Sequence, residues 1–457
     1  MNETRQLAEF CSRVSYDRLP AAVRDKVKLC VLDYIANVYG SLELEAVSDV
    51  VRFVRAKSSG GPATVLGCGF KCDLLHAALV NGTMGEAVEA QDGLRFGGNH
   101  PGTAVIPAAL AAAEELGLGG RAVIEAIAAG YEAADRPAAA MHPWHTLGGF
   151  LPTGTCGAFG AAAAVGRLKG FPPERLASAL GCAGYLLPLS MAEQLMGGFT
   201  IKIVQGGMAA LSGLLAAGLA EAGLSGAPYV LEGSALGGGF TKITVAPGAA
   251  PKNERLVEEL GEKWSVLDIY FKPFTACRHT HGAAQAVLEL KREHGLRAED
   301  VIEARVAAYG IAQLAVGKGV SEGDAFVSAQ FSIPYVVAVC LLDGELGPKQ
   351  LTEKRLADPA VLELSRRASV ATDEELNQRY PAETASRVEI VLKDGRALTR
   401  QVNTPLGDPR TPLDAEALSQ KVRRFAGDRD MSRVGRAIEL ALELDHLDDI
   451  HELTAAI

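Results

Sequence analysis

The sequence predicts a mainly α protein: a large all-helical part, residues 1–262 and 408–457, with a smaller α+β lid, residues 263–407, inserted before the closing helices. Three observations predict it. Up to about residue 225 the apolar residues recur at helical spacing, interrupted by one short strand-like run. A stretch rich in Gly, Ala, Pro and Ser at 233–251 then breaks the texture. Beyond it two β-patterned segments flank Lys393-Asp394-Gly395-Arg396, a hairpin signal. A chain of 457 residues suffices for two domains, or one large domain with a lid.

Residues 1–57 read as two helices, the second opened by Pro20. A short strand at 63–66 ends in Gly67-Cys68-Gly69, and Asp73 is placed to cap a helix running through Leu74, Leu75, Ala78 and Leu79. Helices at 104–116 and 121–136 follow, then 153–169, whose glycines at 154, 157 and 160 let a neighbouring backbone come close. Helices at 172–187 and 206–222 continue the series. Residues 241–245 read as strand-like and 264–274 as extended; 301–309 alternates like a strand, and 326–342 is a buried helix. The segments 351–357 and 359–367 read helical, 387–392 and 397–402 form the hairpin, and from Asp414 the chain is helical again.

A net charge of −10 argues against nucleic acid or an anionic membrane as partner. Of eight cysteines only Cys68 and Cys72 are close, with no second pair, so buried free thiols in a reducing cytoplasm are expected rather than disulfides or zinc. The polar start MNETRQLAEF has no apolar leader. Two uncharged windows, 146–166 and 203–220, are built of Ala and Gly, which suits buried helices better than a lipid span. The glycines at 117–120 follow a helix, and those at 237–239 precede a strand-like run, so neither has the context of a dinucleotide fingerprint. No cofactor is expected. No metal is expected either: His142 and His145 lack a third ligand and read as a surface loop, and His446 and His451 as solvated.

Residues 81–102 carry the first candidate site. Glu86, Glu89 and Asp92 stand at i, i+3 and i+6, which would place them on one helix face. A glycine-rich loop then brings back His100, and carboxylates beside an imidazole make a general acid/base arrangement; the plain alternative is a solvated acidic face. The second candidate is Lys272–Pro–Phe–Thr–Ala–Cys277–Arg278–His279–Thr280–His281, where an extended run meets a helix. A helix start favours anions, Lys272 and Arg278 add charge, and arginine suits bidentate carboxylate binding. A basic surface turn is the alternative, but Phe274 and Cys277 are residue types that sit inside. Lys202, between Ile201 and Ile203 at a helix start, is either a snorkelling lysine or a substrate anchor.

Taken in order, several stretches resemble the MmgE/PrpD family along nearly the whole chain. They are Asn81-Gly82, the E-x-x-D-G of residues 89–93 with HPG after it, PTGTCGAFGAAAA, Lys202 before GGMAALSG, Lys272 with CRHTHGAAQA, FSIPYVVAVCLLDG and GDPRTPL. That family contains 2-methylcitrate dehydratase, cis-aconitate decarboxylase and iminodisuccinate epimerase. The resemblance implies an all-helical domain with an α+β lid, a homodimer, an active site between the domains, and metal-independent chemistry on small di- or tricarboxylates. By position, Glu89 matches an acidic active-site residue, His100 the HPG histidine, and Lys202, Lys272, Arg278 and His281 other substrate-facing positions. Two departures stand out: Leu151 and Gln205 occupy positions where the family commonly has histidine. The active-site tyrosine of the decarboxylase members has no aligned counterpart, although Tyr309 is near. These departures weigh against decarboxylation and, with less force, against the standard dehydration.

The chemistry expected is proton removal next to a carboxylate. Lys202, Lys272 and Arg278 would clamp carboxylates, His100 and His281 would serve as base and acid, and Glu89 or Asp92 would orient one of them. A hydro-lyase acting on a small hydroxy polycarboxylate is the leading expectation, an epimerase or isomerase of a dicarboxylate the alternative, with a decarboxylase or a non-catalytic carboxylate binder behind both.

Overall fold

A computed structural model describes residues 2–457 and is mainly α, as the apolar spacing predicts. Its side chains form two main hydrophobic clusters. The larger runs from Leu7 to Phe271, takes in Phe326, Val327 and Leu351, and is rejoined by residues 418–457; the smaller gathers other residues from Phe274 to Val402. The chain passes from one to the other between Phe271 and Phe274, so Lys272 lies at the seam.

Glycine allows the helices of the larger cluster to cross at backbone distance. A Cβ on Gly207 would come 2.1 Å from the Leu79 carbonyl, and one on Gly82 would come 2.6 Å from Gly207 Cα. No side chain fits there, so the Gln205–Glu221 helix lies directly on the Leu74–Ala87 helix. That crossing brings Lys202 and Gln205 against the end of the helix bearing Glu86. The stretch Thr200–Glu221 is long and apolar enough to cross a membrane, but it packs among the Leu74–Ala87, Pro152–Leu168 and Pro173–Leu186 helices. Asp73 caps the Leu74–Ala87 helix as expected, accepting from His76 N.

The smaller cluster is a four-stranded sheet under two helices. Its order is Ala368–Thr372, Val301–Ala308, Ser386–Leu392, Ala397–Val402, with the first pair parallel and the others antiparallel. Ala304 opposite Ile390 and Val306 opposite Val388 face inward, covered by the helices His281–His294 and Ile333–Asp343. The expected hairpin is present, with Val391 opposite Ala397.

Four expectations need correction. Residues 1–57, expected as two helices, form three, Glu3–Ser12, Ala21–Ser41 and Glu45–Lys57. Within 264–274 only Ile269–Tyr270 is strand, after a tight turn Ser265–Asp268; it pairs with Gly93–Leu94 across the seam. Residues 241–245, β-branched by composition, begin in a short helix Phe240–Ile243 because Phe240 packs its ring on Phe159 and His145. The expected helix 326–342 divides into Phe326–Gln330 and Ile333–Asp343, where Ser332 accepts from Tyr335 N and starts a new helix. All eight cysteines are free thiols, and six of them are buried.

Candidate active site

The site forms where the Leu74–Ala87 helix ends. Glu89 has φ +54°, a left-handed conformation costly for a residue with a side chain, so the helix cannot continue to Asp92. The three acids therefore do not share one helix face. Glu86 and Glu89 nevertheless converge on Lys202, whose Nζ is 2.7 Å from Glu86 Oε1 and also donates to Glu89 Oε2. Lys272 reaches the same carboxylate from the seam, 2.7 Å from Glu89 Oε1 and 3.3 Å from the Glu89 carbonyl. Gln330 fastens this junction, donating to the Ala87 carbonyl at 2.7 Å and accepting from Cys277 N through its own carbonyl.

Glu86, Lys202, Glu89 and Lys272 thus form an alternating chain of charges, each at most 4% exposed. Burial works against ionisation of Glu89, but Lys202, Lys272 and His100 outweigh it and hold its carboxyl well below the usual range. Burial likewise works against the Lys202 ammonium, and Glu86 and Glu89 overcome it, raising its pKa.

His100 stands over this chain. Its Nδ1 is 2.6 Å from the Asp92 carbonyl and its Nε2 is 4.0 Å from Glu89 Oε1. Burial, then Lys272, push its pKa down to about 3 despite the pull of Glu89. The ring is therefore neutral at ordinary pH. A carbonyl can only accept, so Nδ1 carries the proton and Nε2 presents a lone pair towards Glu89.

Asp92, expected among the catalytic carboxylates, is turned away from the lysines. Its carboxyl accepts from Tyr131 Oη at 2.6 Å and from Gly102 N at 3.2 Å, and burial pushes its pKa up to about 7. It meets His100 through its main chain. Arg278 is spent on structure: its guanidinium donates to the Leu406 and Pro405 carbonyls at 2.7 and 2.8 Å and lies over the Tyr270 ring. His281 is fully buried, with Nε2 3.0 Å from the Ala276 carbonyl and its ring against Phe274. Neither Arg278 nor His281 hydrogen-bonds or ion-pairs with the lysine–glutamate chain, although Lys272 lies near enough to His281 to help lower its pKa, and His281 Nδ1 has no partner among the described residues.

His279, not singled out from the sequence, is a further titratable group near Lys272. It is partly exposed, its Nδ1 is 2.5 Å from Tyr309 Oη, and the Tyr309 ring stacks on Tyr380 at 4.6 Å. Burial, then Lys272 and His142, lower its pKa to about 4, so it too is neutral. Tyr309 Oη makes no other hydrogen bond among the described residues; a phenol hydroxyl can donate or accept, and where it donates to Nδ1 it leaves His279 Nε2 as an N–H donor. The signal was one of four cationic or titratable side chains in a ten-residue stretch, and nothing local separates position 279 from 281.

His145, expected in a surface loop, is a bonded core residue: Nε2 meets Thr155 Oγ1 at 2.8 Å and Nδ1 the Thr244 carbonyl at 2.7 Å. His451, expected to be solvated, pairs with Glu114 at 2.8 Å and stays about one-third exposed, whereas His446 is exposed. Among the described residues no three His, Cys, Asp or Glu side chains converge as metal ligands.

Comparison with known proteins decides what this geometry belongs to. Residues 5–249 match the MmgE/PrpD N-terminal domain and residues 274–445 the MmgE/PrpD C-terminal domain. The chain belongs to the MmgE/PrpD family. It is 30% identical to a cis-aconitate decarboxylase of Aspergillus terreus (strain NIH 2624 / FGSC A1156) over 471 residues, covering 98% of this chain and 94% of that protein. It is 27% identical to the cis-aconitate decarboxylase-like protein oryM of Aspergillus oryzae (strain ATCC 42149 / RIB 40) over 475 residues, covering 100% and 97%. Membership supports an enzyme that processes a small carboxylate. In this MmgE/PrpD member the two departures, Leu151 and Gln205, lie on one hydrogen-bonded line. Leu151 N donates to the Ser190 carbonyl at 2.7 Å, and Ser190 Oγ donates to Gln205 Oε1 at 3.1 Å.

Proposed function

We propose that the protein is a hydro-lyase that removes water from a small hydroxy di- or tricarboxylate. His100 Nε2 takes the proton from the carbon next to a carboxylate. Lys202 and Lys272 offset the negative charge that builds on the carboxylate oxygens. The His279 N–H steadies the departing oxygen, and the proton held by His100 leaves with the hydroxyl as water. One observation carries the reading: an imidazole lone pair 4.0 Å from a carboxylate that two buried lysines share. Arg278, engaged with two carbonyls, has no part in it, and His279 takes the place first expected for His281.

A second reading, an epimerase of a dicarboxylate, is favoured by the charge count. Two lysines face two glutamates and both imidazoles are neutral, so the cluster offers a polyanion no net positive charge. A substrate carrying a cationic nitrogen suits that balance better than a tricarboxylate. Decarboxylation, the reaction named for the Aspergillus relatives, ranks below both because of Leu151 and Gln205.

Candidate hydroxy and amino acids followed by proton NMR in deuterated water test this. New alkene signals support dehydration; loss of the α-proton signal without alkene supports epimerisation; neither, across the panel, overturns proton abstraction. The reading includes a homodimer: Tyr185, Leu189, Phe199 and Ile201 expose 88, 62, 59 and 59% of their surface in one short stretch, an apolar strip that a second copy would cover. Light scattering giving a monomer mass would remove that part.

A further inference from the structure

Glu86 is the member of the cluster that the proton transfer leaves unused. Its side chain is completely buried. One oxygen, Oε1, accepts from Lys202 Nζ at 2.7 Å and from Gln205 Nε2 at 2.6 Å. The other, Oε2, accepts from none of the described residues. A buried carboxylate oxygen without a donor is costly, and native interiors rarely keep one without a use.

The surroundings hold that oxygen in place. Ser190 Oγ donates to Gln205 Oε1, which turns the Gln205 NH2 group towards Glu86. Ser190 keeps φ at +46°, a conformation side-chain-bearing residues seldom adopt and one that collects at functional sites. A Cβ on Gly154 would come 2.3 Å from Ser190 Oγ, so glycine leaves room for the hydroxyl. Through Lys202 the carboxylate is one ammonium away from Glu89, and Glu89 faces His100.

We propose that Glu86 Oε2 recognises a hydrogen-bond donor on the substrate, a hydroxyl or protonated nitrogen near the reacting carbon. The chain then selects carboxylates bearing such a group over those whose only polar groups are ionised carboxylates. An ionised olefinic tricarboxylate such as cis-aconitate has no such donor. The inference rests on the reading of this cluster as a carboxylate site and adds what the substrate must carry besides its carboxylates.

Calorimetric binding of matched probes to the wild-type protein tests it: malate and aspartate against succinate, and citrate against tricarballylate. The hydroxyl- or amino-bearing member of each set binds roughly 10- to 100-fold tighter, the range for a hydrogen bond to a charged group. In Glu86→Gln the amide oxygen stays with Lys202 and Gln205, an NH2 group replaces Oε2, and donor meets donor. The preference then falls to within about threefold. Equal binding of the wild-type pairs overturns this inference and leaves the site reading standing. No binding by any probe overturns both. The wild-type comparison decides the question whether or not Glu86→Gln folds.

Discussion

Two buried lysine–carboxylate assemblies sit one residue apart on the same loop, and they differ in what they leave unmet. Lys421, on the Ala415–Ala426 helix, is 2.7 Å from Asp33 Oδ1 and 2.6 Å from the Ala90 carbonyl, with its ammonium over the Phe425 ring. Asp33 Oδ2 receives Asn37 Nδ2 at 3.3 Å, so both carboxylate oxygens are occupied. That pair ties the Ala415–Ala426 helix to the Ala21–Ser41 helix with both carboxylate oxygens bonded, leaving only the amide oxygen of Asn37 unmet beside it. In the other assembly Lys202 and Lys272 are equally buried, yet Glu89 holds a left-handed backbone, Glu86 keeps a bare oxygen, and His100 aims a lone pair at the group. Burial and charge pairing alone therefore mark packing. In the second assembly a strained backbone, an unmet carboxylate oxygen and an imidazole lone pair coincide, and that coincidence, rather than any one of them, is what sets it apart.

Substitution should separate the two regions sharply. His100→Ala lowers turnover about 10²- to 10⁴-fold, the range for a lost general base, while the thermal midpoint stays within a few degrees. Steady-state kinetics with thermal denaturation check both halves, and near-normal turnover would erase the distinction. Lys421→Met strands Asp33 and costs about 3–5 kcal/mol of stability in urea unfolding. Adding Asp33→Asn recovers more than half of that loss. Lys272→Met leaves Glu89 paired with Lys202, so it costs less stability than Lys421→Met and more activity.

The pH profile sharpens the comparison further. His100 titrates near 3 in the free protein, so the acid limb of kcat/KM lies well below the ordinary imidazole value. Lys272 is one cause of that depression, and Glu89 acts the other way. Removing the lysine charge in Lys272→Met makes the imidazolium easier to form, so the limb moves to higher pH. A limb that stays put would detach Lys272 from His100. The smallest effect is expected from Tyr309→Phe, which removes the hydroxyl at His279 Nδ1 and lowers kcat by roughly tenfold, the size of one lost hydrogen bond, with little change in KM.

The parts of the fold legible in the sequence were those set by local chemistry. Asp73 caps its helix because the aspartate is next to it, and Asp394-Gly395 turns the hairpin because glycine takes the positive φ there. The short helix Phe240–Ile243 and the turn Ser265–Asp268 were hidden because distant rings and a cross-seam strand impose them. The site divides the same way. Glu89, Lys202, Lys272 and His100 stood out as residue types, and the fold brings Lys202 and Lys272 to Glu89 over separations of 113 and 183 positions. Asp92 was misplaced because its i+6 spacing assumed a helix that ends at Ala87. The proposed role of His279 rests on Tyr309, thirty positions away, which no local pattern marks.

The state of one imidazole decides the proposed chemistry. Nitrogen-15 NMR of histidine-labelled protein at pH 6, with His100→Gln used to assign the signal, reads it directly and needs no knowledge of the substrate. We expect His100 neutral, protonated on Nδ1 and bare on Nε2. A charged ring at that pH, or a proton on Nε2, would contradict it.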